Sequence, residues 1–198
     1  MPSSSIDRGD SFNMSRLKKI AKTVVLKETE WVSLYDRDGY IYSHESRCYK
    51  NATVAILPFR IHNNKLQLLI RYEYTPSHYV NKQMEATAIT GGYDDSSITI
   101  ADTAVKELLE EGGYRADINQ LIPFDWCWEG KASDTKVYLY AIDLTDTLER
   151  ETPKGDGSKG EVGAYCKWED YDKNINYRCM RLNNLIYKIK EKKPELFK

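Results

Sequence analysis

Two runs, Thr53–Phe59 and Leu66–Tyr72, are almost continuously apolar, and the turn-forming pair Asn63-Asn64 lies between them. Short apolar runs bounded by a turn signal read as buried strands, and such strands must be covered by other elements of the chain. Upstream, Trp31–Tyr35 and Tyr40–Tyr42 flank Asp36-Arg37-Asp38-Gly39, a hairpin signal because Asp-Gly takes the positive φ that tight turns require. Met84–Thr90 is a weaker strand stopped by Gly91-Gly92, and Lys136–Leu144 and Val162–Trp168 add two more. Two segments switch to helical spacing. From Thr99 to about Gly112, Ala101, Val105, Leu108 and Leu109 form one apolar face, Ser97 or Thr99 caps the start, and Gly112-Gly113 supplies the stop. From Arg181 to about Lys192, Leu182, Leu185, Ile186 and Ile189 point inward. Strands and helices mix without regular β-α alternation. The expected class is therefore α+β, an α/β/α sandwich rather than a doubly wound sheet.

Composition narrows the rest. A chain of 198 residues, 41% hydrophobic and 30% charged, suits one domain that folds without disulfide or metal staples. Residues 1–14 are Ser-rich and polar, a flexible tail ahead of a single domain over 15–198. The net charge of −1 gives no broad basic field, so there is no strong nucleic-acid signal. No apolar run reaches membrane-spanning length, and the first residues lack a signal-peptide core. Cys48, Cys127, Cys166 and Cys179 have neither C-x-x-C nor zinc spacing with a histidine, and read as free thiols in a reducing, cytoplasmic setting. Residues 145–160, rich in Thr, Lys, Gly and charge, read as a long exposed loop, and such loops are often functional.

The chemistry concentrates in the first helix. Glu107, Glu110 and Glu111 stand at offsets of zero, three and four, one side of an ordinary helix, and are expected to face outward. Like charges at that spacing destabilise a helix by about 0.2–0.5 kcal/mol per pair, and they crowd its negative dipole end. A solvated acidic face is the simpler account of three good helix formers. A divalent cation reverses the balance, since carboxylate oxygens suit Mg²⁺ or Mn²⁺.

The wider segment G-Y-D-D-S-S-I-T-I-A-D-T-A-V-K-E-L-L-E-E-G-G-Y (92–114) resembles the box of the Nudix hydrolases, G-x5-E-x7-R-E-U-x-E-E-x-G-U. Gly92, Glu107, Leu108, Glu110, Glu111 and Gly113 fall at the expected places, and Tyr114 fills the last bulky one. Ile98 stands in place of the first Glu and Lys106 in place of the Arg that orients the neighbouring carboxylate. Lys keeps the charge without the bidentate fork. The resemblance implies a Nudix-type α/β/α sandwich with a mixed sheet and an N-terminal β-hairpin extension, and metal-dependent cleavage of a diphosphate bond. It implies metal binding by Glu107, Glu110, Glu111 and Gly92, with Lys106 in support.

Outside the box the layout resembles the ADP-ribose pyrophosphatases. Glu85 falls where those proteins carry a metal-binding Glu. Glu161, in E-R-E-T-P-K-G-D-G-S-K-G-E-V-G-A-Y-C-K-W (149–168), falls in the place of their catalytic loop and is a candidate base, with Glu149, Glu151 and Asp156 as competitors. L-L-I-R-Y-E-Y-T-P (68–76) matches their substrate-contacting strand at Arg71, while Glu73 and Tyr74 replace the second Arg. G-K-A-S-D-T (130–135) resembles their G-x-S-x-E segment, with Ser133 as a substrate contact and Asp134 in the acidic place. Trp31, Trp126 and Trp128 are candidates to stack on a base. The implied partner is a nucleotide-type small molecule, with a homodimer built through residues 30–50. An ADP-ribose-like substrate is favoured. The alternatives are dinucleoside polyphosphates, NADH or FAD, RNA caps, or a catalytically weakened nucleotide-binding sensor module.

Overall fold

The computed structural model describes residues 22–75, 84–147, 149–154 and 163–198. In chain order the strands are β1 (Thr23–Lys27), β2 (Ser33–Arg37), β3 (Tyr40–His44), β4 (Ala52–His62), β5 (Lys65–Glu73), β6 (Glu85–Thr87), β7 (Ile89–Gly92), β8 (Leu121–Trp128), β9 (Lys136–Asp143) and β10 (Tyr165–Asp170). The helices are α1 (Ile100–Glu107), continued by a wider π-type turn over Leu108–Gly112, and α2 (Met180–Lys192). β1, β2 and β3 form an antiparallel N-terminal sheet, so the expected hairpin gains a third strand that its sequence did not announce. The other seven strands form one mixed sheet in the order β10-β5-β4-β9-β8, with β6 added to β5 and β7 added to β4. β4 and β9 run parallel, and the other pairings are antiparallel.

Both predicted turns form for the predicted reason. Asp38 and Gly39 have φ of 54° and 83°, and Asn63 and Asn64 have φ of 51° and 60°, so each two-residue loop takes the twist that suits a hairpin. β8, also missed in the sequence, carries Pro123 beside a bulge at the end of the sheet order, where a missing amide donor is tolerated. The Met84–Thr90 segment is two strands rather than one. It pairs first with β5 and then with β4, and it runs through Gly91-Gly92 instead of stopping before them.

The sheet has a core on each face. Along β4, Ala55, Leu57 and Phe59 pack with Leu182, Leu185 and Ile189 of α2, whereas Val54 and Ile56 pack with Ala104 and Leu108 of α1. This two-residue alternation makes the fold an α/β/α sandwich. The three α2 side chains are essentially inaccessible, and each contributes roughly 1.5–3 kcal/mol by leaving water. On β5 the same alternation sends Leu66, Leu68 and Ile70 toward α2 and Leu69 toward α1. Arg71, two residues beyond Leu69, therefore projects on the α1 side, and that projection shapes the candidate site.

Candidate active site

Thr99 starts α1 through a reciprocal capping box. Its side chain accepts from the Asp102 amide, and the Asp102 carboxylate accepts from the Thr99 amide. The Thr99 hydroxyl, which also donates to that carboxylate, and the Thr99 amide together hold the Asp102 carboxyl below its ordinary range. At the other end Gly113 has φ of 79°, and a Cβ there would overlap the Glu151 carbonyl, so only glycine fits the stop.

Between these ends the helix does not present three glutamates as one outward row. Its buried line runs through Ala104, Leu108 and Glu111, while Ala101, Val105 and Leu109 are only partly covered. Widening over Leu108–Gly112 also breaks the ordinary helical spacing on which the expected cluster depended. Glu107 turns toward β7, where its carboxylate occupies the space that a Cβ on Gly91 would need. Glu110 remains partly exposed, with one oxygen 3.8 Å from Lys106 Nζ. Glu111 is 8% exposed and receives Arg71 Nη1 at 2.5 Å.

Arg71 is itself 4% exposed, and its Nε donates to Glu73 at 2.9 Å. Burial works against its charge, but Glu111 and Glu73 outweigh that penalty and raise its pKa further. Glu73 is thus the outer partner of a buried Glu111–Arg71–Glu73 chain. Its two-residue offset from Arg71 on a strand puts both on one face. Cys166 lies opposite Arg71 in the β10–β5 register, and burial pushes its thiol up to about 12.

Gly92 ends β7 against different neighbours. A Cβ there would sit 3.0 Å from Cys48 Sγ and 3.7 Å from the Arg47 guanidinium carbon. Arg47 in turn lies 4.7 Å over the exposed Trp31 ring, which brings Trp31 to the strand end that leads into α1. Nothing in the motif pattern pointed to Arg47. Trp126 and Trp128 meet edge to face at 4.9 Å on β8, both exposed, with Lys136 over Trp126. Trp128 and Ser133 line an open groove of about 440 Å³ with Gly130, Lys131 and Asp134. Ser133 is engaged with Thr135, and Asp134 receives His44 at 3.0 Å and Asn51 at 3.2 Å, a link between the N-terminal sheet and the start of β9.

Glu85 belongs to another concavity. It pairs with Arg178 at 3.4 Å and shares a cavity of about 660 Å³ with Glu73, Glu129, Arg178 and Arg181. Glu129 is held by Arg181. Of the candidate bases, Glu161 and Asp156 lie outside the described residues. Glu151 is bound to Arg115, and its amide donates to the Gly113 carbonyl at 2.8 Å.

Among the described residues no three Asp, Glu, His or Cys side chains stand together as a formed metal site. The donor chemistry still fits a hard divalent ion. Glu107 and Glu111 offer carboxylates on one helix, and the bare backbone of Gly91 gives Glu107 room. Among the described residues the Glu110 carboxylate has one long, partly exposed ion pair, a kind worth about 0–1 kcal/mol, and is readily drawn away. All four cysteines are free thiols, and no described helix is long and apolar enough to cross a membrane.

No family model and no curated protein matches this sequence. Solved structures do match its fold. An ADP compounds hydrolase superposes with a TM-score of 0.61 at 18% identity, over 88% of this chain and 92% of that one. The NUDIX domain of Shewanella oneidensis NrtR, solved in complex with ADP ribose, superposes with a TM-score of 0.52 at 12% identity, over 71% of this chain and 86% of that one. The mixed sheet between two helices, with its N-terminal strand extension, has the Nudix fold of these two structures.

Proposed function

We propose that this chain is a divalent-metal-dependent diphosphatase acting on nucleoside-diphosphate derivatives, with an ADP-ribose-like molecule as substrate. The supporting observation is the placement of Glu107 and Glu111. One carboxylate rests on the backbone of Gly91, and the other is fixed by a buried arginine, both on the helix that follows the paired glycines. The fold it shares with an ADP compounds hydrolase is consistent with this reading. A bound Mg²⁺ or Mn²⁺ would neutralise the diphosphate oxygens and acidify a water. Glu107, Glu110 and Glu111 would hold it, with the Gly92 carbonyl and Glu85 as further candidate ligands.

The chain's own groups then divide the remaining work. Arg71 is already committed to two carboxylates, so contact with substrate falls to other groups than its Nε and the Nη1 that holds Glu111. Trp31, beside Gly92 through Arg47, and Trp128, beside Ser133, are the exposed aromatic surfaces on which a base would stack. Glu161 is the proposed base that takes the proton from water as it attacks phosphorus. A homodimer through residues 30–50 belongs to the same reading, since Trp31, Leu34, Tyr40 and Ile41 are exposed there. So does a reducing, cytoplasmic setting, which keeps the four thiols free.

The test is incubation with ADP-ribose and Mg²⁺, with AMP and ribose 5-phosphate measured as products. Glu111→Gln is expected to lower kcat about 100-fold while the circular dichroism spectrum is retained. Absence of turnover across ADP-ribose, NADH, FAD, dinucleoside polyphosphates and capped RNA, with ADP-ribose still bound tightly, would instead establish a binding module. The departures at Ile98 and Lys106 favour that second reading.

A further inference from the structure

We infer that Arg71, from the sheet, is the positioning residue for Glu111, a carboxylate that the box position Lys106 does not hold. The inference rests on the diphosphatase reading of the glutamate helix and names the group that aligns it.

The two cations differ in every property that matters for holding a carboxylate still. Arg71 is 4% exposed, lies on a central strand whose alternation is set by Leu69 and Ile70, and donates through Nη1 at 2.5 Å. Its Nε is anchored by Glu73 at 2.9 Å, so the guanidinium plane is fixed from both sides. A planar fork held at two points has no freedom to follow a moving carboxylate. Lys106 has a side chain 48% exposed, lies 3.8 Å from Glu110, and contacts no other carboxylate within ion-pair distance among the described residues. Its compact ammonium on a flexible stem fixes no orientation.

The substitution at Lys106 and the salt link at Arg71 thus form one arrangement. The widened turn over Leu108–Gly112 accompanies a Glu111 directed inward along the buried line of Ala104 and Leu108. There it meets the sheet rather than the preceding helical turn. Lys106, five positions earlier on the helix surface, pairs with Glu110 instead, whereas a strand residue beneath Glu111 reaches it. Glu73, where a second arginine is absent, is what keeps Arg71 in place. A free Arg71 would be available to a phosphate; an Arg71 shared by two carboxylates is not.

The experiment compares wild type, Arg71→Lys, Lys106→Ala, Glu111→Gln and the double variant Arg71→Lys/Glu111→Gln. It reads kcat and KM for ADP-ribose and, separately, Mn²⁺ affinity by calorimetry. Arg71→Lys keeps the charge and removes the fork, so it should lower kcat and Mn²⁺ affinity about 10–100-fold, with KM little changed. Its cost should exceed that of Lys106→Ala. In the Glu111→Gln background, Arg71→Lys should cost almost nothing further, because it acts through Glu111. If Arg71→Lys destabilises the fold, the neutral pair Arg71→Gln/Glu111→Gln removes both charges together, and it should match Glu111→Gln alone in Mn²⁺ affinity.

A rise in KM at constant kcat would overturn the inference and make Arg71 a substrate contact. Multiplicative losses in the double variant, or a larger loss from Lys106→Ala, would overturn it as well. Wild type that turns over no diphosphate but binds Mn²⁺ in an Arg71-dependent way would sink the diphosphatase reading and leave Arg71's role standing. Absence of Mn²⁺ binding by wild type would overturn that role.

Discussion

At the scale of single residues, the closest constraint is the one between Gly91 and Glu107. Any side chain at Gly91 competes with the Glu107 carboxylate for the same volume. Gly91→Ala should therefore displace Glu107 and reduce turnover about 10–100-fold, the usual cost of disturbing the support of a ligand or reacting group. Because β7 is short and the clash is with the Glu107 side chain rather than with backbone, the melting temperature should move by only a few degrees; activity and differential scanning calorimetry on the same sample check both halves. The sequence marked Glu107 and the glycine pair but not their contact, since a motif records spacing along the chain and not which strand face each glycine takes. The converse holds for Arg71. Its identity was legible, but its buried partner Glu111 was not, because that contact depends on how the last helical turn is wound. Arg47 carried no signal at all: it is one exposed arginine among many until Trp31 and Gly92 are brought to it by the N-terminal sheet.

At the scale of elements, the strands were the most legible part. Continuous apolar runs and two-residue turns depend on local chemistry alone, so β4, β5 and their turn follow from the residues. β1 was hidden because Thr23–Lys27 is exposed along its whole length and has no core face to pattern it. The glutamate helix was correctly placed and capped, and Leu108, Ala101 and Val105 of its expected apolar face do pack on the core. The most buried line is shifted toward Thr103 and Ala104, and the widened turn then carries Glu111 inward. Thr99 is the fixed point of that element. Thr99→Ala removes the acceptor for the Asp102 amide and should destabilise the protein by about 0.5–2 kcal/mol, measured by urea denaturation. Thr99→Ser or Thr99→Asp should recover most of the loss.

At the scale of the whole molecule, stability is tied to alkaline pH through two covered thiols. Burial raises Cys48 to about 11 and Cys166 to about 12 from an ordinary value of 9.0. Each folded-state pKa lies above its unfolded value, so the stabilisation is complete below pH 9. It declines as pH climbs, because the unfolded chain releases protons that the folded one retains. Unfolding free energy should therefore fall from pH 9 toward pH 11, and Cys166→Ala should flatten the slope while lowering the plateau through the small void it leaves. Denaturation curves at a series of pH values distinguish slope from plateau. The same coverage should leave both thiols slow to alkylate in the native protein at neutral pH.

The end of the glutamate helix is finished by a distant piece of chain. Lys154 donates its amide to the Glu110 carbonyl at 3.1 Å, Arg150 Nε donates to the Gly112 carbonyl at 2.9 Å, and the Glu151 amide donates to the Gly113 carbonyl at 2.8 Å. Arg150 also reaches the Cys166 carbonyl on β10 at 3.0 Å. Three residues of the 150–154 segment thus serve as a cap supplied from outside the helix, tied to both the helix and the sheet. A protease cut between 155 and 162 would leave this cap on the helix's own fragment, while the Arg150–Cys166 bond and the β10–β5 pairing still join that fragment to the C-terminal one, so the two fragments should co-purify.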